Sequence, residues 1–131
     1  MTVDLHQHVW TPPLLDALAR REALPFIRRN GAAAITLHSA GERPYPIDAA
    51  AQSAPARARV LDEFGVERAV VAISTPIGIE ALPRAEALAL IDAHLDGVLA
   101  LGEQFAAWGP VPVSDRDPGD VDAVLERGCV G

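Results

Sequence analysis

Residues 2–9, TVDLHQHV, alternate: Val3, Leu5 and Val9 fall on one side by the period of two, with Asp4, His6 and His8 on the other. The spacing predicts a strand with one apolar face and one face that carries chemistry. Behind this strand the sequence repeats a strand-then-helix pattern. Thr11 before Pro12 and Pro13 is a cap and first-turn signal, and LLDALARR continues with helical spacing. From Pro25 to about Asp48 the text is irregular (PFIRRNGAAAITLHSAGERPYPID), with room for a small hairpin around AITLH, and reads as a long loop or insertion.

A second unit begins near Ser53, where Pro55 sits in the first turn, ARARVLDEF carries the helix and Gly65 stops it. VERAVVAIS is nearly continuous in β-branched and small apolar residues, as expected of a strand covered on both faces in a parallel sheet. After the loop STPIGIEALP, the segment PRAEALALIDAHLDGVLALGEQF reads as a helix with a break near Gly97, and AAWGPVPV as a third strand. Asp117 and Pro118 open a further helix, DVDAVLER, closed by Gly128, and CVG reads as the first residues of a fourth strand.

Such alternation argues for a parallel sheet with right-handed crossovers. An open doubly wound sheet and part of a (β/α)8 barrel both fit. A nucleotide-binding sheet of the first kind carries a Gly-rich turn after its first strand, and HVWTPP stands there instead. A full barrel takes about 250 residues. The expected fold is therefore α/β, the first half of a (β/α)8 TIM-type barrel with parallel strands. Residues 1–131 would be its N-terminal portion, incomplete, with a loop insertion at about 25–48.

Half of the 131 residues are hydrophobic and 22% are charged, the balance of a packed globular chain. The formal charge is −7, and the eleven basic residues, all arginine, form no basic face or run, which disfavours nucleic acid and anionic membranes as partners. No charged start precedes an apolar run, and none approaches the ~20 residues a bilayer needs, so the expected location is cytoplasmic. The single Cys129 has no internal disulfide partner and reads as a small buried side chain ahead of a nucleophile.

His6 and His8 carry the functional reading. Residues two apart on a strand are about 6.6 Å apart along the backbone. Both imidazoles leave one face and can lean together, each placing a nitrogen at the ~2.0–2.1 Å required around zinc. Neutral imidazole suits zinc and other first-row divalent metals. Asp4 shares the face, as an outer acceptor orienting a ring N–H or as a solvated strand-end carboxylate. With four histidines in the chain, a chance HxH turns up roughly one time in ten. Position raises it: a first strand ending in a loop, at the head of a β/α series whose sites form at the strands' C-terminal ends.

These residues resemble the amidohydrolase-related family of the metal-dependent hydrolase superfamily, in the branch that includes aminocarboxymuconate-semialdehyde decarboxylase. Members open with a DxHxH strand, which DLHQH matches at Asp4, His6 and His8. GVERAVVAISTP resembles the second strand, and FAAWGPVPVSDRDPGDVDAVLERGCVG the third strand, crossover helix and fourth-strand start. Only about 25–48 has no clear counterpart. The resemblance implies a (β/α)8 barrel and metal-dependent hydrolysis or non-oxidative decarboxylation of a small organic acid or cyclic substrate. It makes His6 and His8 the first two ligands of a divalent metal, zinc foremost. The family completes its site with histidine from middle strands and an aspartate from the last. None of those strands is in this sequence, so no catalytic residue is assigned here. A homo-oligomer or a complementing subunit would then be a partner. The alternatives are a non-catalytic half-barrel or metal-binding module, and a self-contained α/β domain with incidental histidines.

The remaining candidates have plainer readings. His38 lies in the insertion and is expected on a surface loop, within reach of substrate only if a scaffold aims it. His94, in IDAHLDG, is expected to be solvated or helix-terminal. Trp10 would line a pocket or simply pack. STPIGIE would bound a pocket or make a plain turn. Asp115, Asp117, Asp120 and Asp122 read as helix-start chemistry ahead of a metal cluster.

Overall fold

The computed structural model describes residues 1–31 and 34–131. Among the described residues six strands and four helices follow one another: β1 (Val3–Gln7), α1 (Pro12–Ala19), β2 (Phe26–Asn30), β3 (Ala34–His38), β4 (Tyr45–Asp48), α2 (Ala54–Glu63), β5 (Arg68–Val71), α3 (Arg84–Leu99), β6 (Phe105–Ala107) and α4 (Gly119–Glu126). Single 3₁₀ turns at Ala50–Gln52 and Thr75–Ile77 precede α2 and follow β5.

The apolar run at Ala69–Val71 makes β5 the middle strand of a parallel sheet, flanked by β1 and β6. A central strand of such a sheet is covered on both faces, which is why this run shows no alternation. Leu14, Leu15 and Leu18 of α1 meet the buried row Ala87, Leu90, Ile91, Leu95 and Val98 of α3 in one core. Leu18 is wholly buried, and cutting a side chain in such a place to alanine costs about 2–5 kcal/mol.

Gly97 does not break α3. A side chain there would run into Thr11, so the glycine lets α3 lie close against the start of α1. Thr11 is the N-cap residue of α1 but its hydroxyl caps nothing; Oγ1 is buried without a partner. Ser53 does cap α2, accepting the Ala56 N–H at 3.4 Å, and Gly65 takes the positive φ that ends the helix.

The segment expected to be a loop is mostly strand. β2, β3 and β4 form a second, antiparallel sheet in that order, with Ile27 opposite Leu37 and Ile35 opposite Ile47. These four side chains are buried and belong to the same core as α1 and α3. The glycines and prolines that mark the text as irregular sit in its turns and at β4, and the alternating Ile35 and Leu37 supply the period-two signal.

Two expectations therefore need correction. The chain is not the first half of a (β/α)8 barrel: it is a small α/β domain with one three-stranded parallel sheet, a separate three-stranded antiparallel sheet and four helices. The CVG segment forms no fourth strand. Val130 N–H donates to Ala107 O at 2.9 Å and Gly109 N–H to Gly131 O at 2.7 Å, tying the segment to the end of β6 by isolated bonds only. Likewise AAWGPVPV yields only Ala106 and Ala107 of the short β6, since Pro110 and Pro112 have no N–H to donate to a ladder.

Candidate metal-binding site

β1 does not keep its alternation. Asp4 stands opposite Ala69 and Gln7 opposite Val71, so three steps on β1 match two on β5: β1 carries one extra residue, a β-bulge. The face assignment changes with it. Leu5, expected in the core, is 63% exposed, whereas Val9 is buried. His6 is exposed on the bulge, and His8 stands just past the strand end, half-buried.

The bulge brings the two rings together. Their Nε2 atoms lie 3.2 Å apart, the ring planes cross at 85° and the centroids are 4.7 Å apart. His8 Nδ1–H donates to the Ala72 carbonyl at 2.9 Å, which places the proton on Nδ1 and leaves the Nε2 lone pair facing His6. Two nitrogens each ~2.0–2.1 Å from one zinc at a tetrahedral angle are about 3.3 Å apart. The pair stands at that spacing, with one imidazole's tautomer already fixed by a carbonyl, an outer contact of the kind metal-binding histidines make. Without a cation, His6 Nε2–H would donate to His8 Nε2 across the same gap. Among the described residues no group of three or more His, Cys, Asp and Glu is placed to hold a metal ion, so the pair fits as two ligands of a set it does not complete.

Asp4 does not orient a ring. One oxygen, Oδ1, accepts the His6 backbone N–H at 3.0 Å, and Oδ2 accepts Gln7 Nε2 at 2.8 Å. The His6 N–H first, then the Gln7 amide, hold this carboxyl below its ordinary pKa.

His8 forms part of the wall of a cleft of about 400 Å³, together with Trp10, Arg43, Tyr45, Arg57 and Ser74. Trp10 N–H donates to Gln52 Oε1 at 3.2 Å, which ties the cleft wall to the turn before α2. Ser74 and Ile77 come from the loop after β5, and Leu37 and Tyr45 from the antiparallel sheet. Arg43, Tyr45, Arg57, Gln7 and the Ala72 carbonyl were not legible as site groups. A backbone carbonyl has no sequence signal, and the other four lie far along the chain or on a face only the bulge defines.

The other candidates lie elsewhere. His38 stacks on Phe26, ring centroids 4.8 Å apart, with the Arg28 guanidinium on that same Phe26 ring. His94 is neither solvated nor terminal: it is 1% exposed inside α3, neither ring nitrogen has a partner, and burial, then the nearby His8, lowers its pKa to about 4. Asp120 takes the Arg84 guanidinium in a two-pronged bond, 2.6 Å on each arm, and Asp117 Oδ1 accepts the Gly119 N–H at 2.9 Å. These acids organise the start of α4 and are not a metal cluster. Cys129 is buried and its thiol pKa is raised by that burial.

No family model matches the chain, and no curated protein matches it. Among solved structures, the chain is similar to the IDCase of Metarhizium anisopliae, solved in its apo form, with a TM-score of 0.67 over 96% of this chain at 16% identity. The match spans 38% of that protein, well under half its length. At that identity the likeness is one of fold. No described helix is long and apolar enough to cross a membrane.

Proposed function

We propose that the chain carries the first two ligands of a divalent-metal site, zinc foremost, in a hydrolase of the amidohydrolase type or a related non-oxidative decarboxylase acting on a small organic acid. The observation that carries this reading is the His6–His8 pair: two Nε2 atoms at 3.2 Å, one tautomer set by Ala72, at the edge of a cleft large enough for a small molecule. The fold likeness to IDCase, a decarboxylase of the amidohydrolase superfamily, supports the reading, as does the DLHQH pattern. A bound metal would lower the pKa of a water to about 7 and polarise a carbonyl or carboxylate. The chain's own groups would do the rest: Arg43 brings positive charge to the cleft for an anionic substrate, and Trp10 and Tyr45 give it apolar walls.

The absence of a third ligand among the described residues favours a second reading, a metal-binding module without turnover. One series of measurements separates the two. Zinc is titrated against a chromophoric chelator with the parent chain and with His6→Ala/His8→Ala, and CO2 release is followed with a panel of small aromatic and heterocyclic acids. Zinc uptake abolished in the double variant supports the site, and turnover then selects the enzyme. Equal uptake by both chains would mean the imidazoles bind nothing and would end both readings.

A further inference from the structure

A β-bulge leaves one residue of β1 outside the register of β5, and within it the His6 N–H donates to the Asp4 side chain, to Oδ1. That acceptor is itself held. Gln7 Nε2 donates to Asp4 Oδ2 at 2.8 Å, and the Gln7 oxygen, Oε1, accepts Arg57 Nη2 at 2.8 Å, which favours the amide orientation that turns its N–H toward Asp4. The three contacts run Arg57 to Gln7 to Asp4 to the His6 backbone. They cross from α2 to the one irregular point of β1, spanning fifty residues of sequence between Arg57 and Gln7. Both ends of the chain of contacts border the imidazole pair: Asp4 fixes the backbone of His6, and Arg57 shares the cleft wall with His8.

We infer that Arg57, acting through Gln7 and Asp4, is a positioning residue for the imidazole pair. It locks the bulge that turns His6 toward His8, so that the two nitrogens stand at coordinating spacing before any cation arrives. This inference rests on the metal reading of the pair. A purely structural contact of α2 with β1 would stabilise the fold and leave the relation of the two rings alone. A positioning role ties Arg57 to the affinity for metal and to the His6 amide, and to little else.

The test compares the parent chain with Arg57→Met, Arg57→Lys and Gln7→Leu. Apparent zinc affinity is measured by chelator competition, and hydrogen exchange of the His6 amide is followed in the metal-free proteins. Loss of an outer partner of a metal ligand typically weakens affinity 10–100-fold, and for this more remote group a loss of about tenfold is expected in Arg57→Met and Gln7→Leu. Arg57→Lys, which keeps the charge and a donor, recovers most of it. The His6 amide exchanges faster in the two disruptive variants by a similar factor, and their metal-free melting temperatures move less than the zinc-loaded ones. Gln7→Leu cuts the contacts at a half-buried position and decides the matter should Arg57→Met fail to fold. Variants that bind zinc within about twofold of a zinc-binding parent, where the role predicts about tenfold, overturn the positioning role and leave the metal reading intact. A parent chain that takes up no zinc overturns both.

Discussion

His94→Leu should make the protein more stable, and more so in acid. The imidazole is buried in α3 at 1% exposure with neither nitrogen paired. Leaving a buried polar group unpaired costs about 1–3 kcal/mol, and a leucine of comparable volume removes that cost for about 1 kcal/mol of repacking or less. A net gain of about 1 kcal/mol near neutral pH follows. The acid effect adds to it. The folded-state pKa is about 4 against the ordinary 6.5, so as pH falls below 6.5 the unfolded chain takes up the proton first. Stability linked to this group is therefore fully present above 6.5, declines between 6.5 and about 4, and changes no further below that. At roughly 1.36 kcal/mol per pH unit, the wild-type chain at about pH 5 has lost about 2 kcal/mol through His94 alone. The variant lacks this loss, so its advantage should rise from about 1 kcal/mol near pH 7.5 to about 3 kcal/mol near pH 5. Urea denaturation of both chains at the two pH values, with chelator present, measures the difference, and titrating groups that do not interact with His94 cancel in it. A variant whose advantage stays constant across that range, or that is less stable than wild type at neutral pH, would refute the account of His94 as a buried, unpartnered, neutral imidazole.

Leu5→Ser tests the bulge: because Leu5 projects outward, the change should alter stability by no more than about 0.5 kcal/mol, whereas Leu18→Ala should cost about 2–5 kcal/mol. Regular alternation along β1 would instead make the Leu5 change one of the costliest in the domain, and paired thermal melts discriminate. Gly97→Ala should destabilise by about 1–3 kcal/mol or more, since the new methyl group meets Thr11, its hydroxyl nearest, while the combined Gly97→Ala/Thr11→Ala change, which removes that hydroxyl, should recover part of the loss. A Gly97→Ala melting temperature equal to or above wild type would show that α1 and α3 are not in close contact there.

Local structure was legible in the order of the residues. Helix starts at Pro12, Pro55 and Pro118, stops at Gly65 and Gly128, the buried run of β5 and the strand character of β1 all follow from propensity and period, which act within a few residues. The sequence also placed two histidines one residue apart at the end of the first strand. What it could not determine was how strands pair across the chain. The insertion read as a loop because its turns are rich in glycine and proline, yet Ile27, Ile35, Leu37 and Ile47 become strand residues once they close one side of a shared core. His94 reads as polar on a helix, and only the packing of α3 against α1 shows that it is buried. The barrel expected from the β/α order gave way to two separate sheets, since alternation specifies parallel pairing but not how many strands close a sheet. The bulge shows this most clearly. An extra residue on β1 exists only relative to the register of β5, more than sixty residues away, and Arg57 reaches it from α2. Pairing of that kind is settled by tertiary burial and hydrogen bonding, because no local preference in DLHQH distinguishes a regular strand from one that turns two imidazoles toward each other.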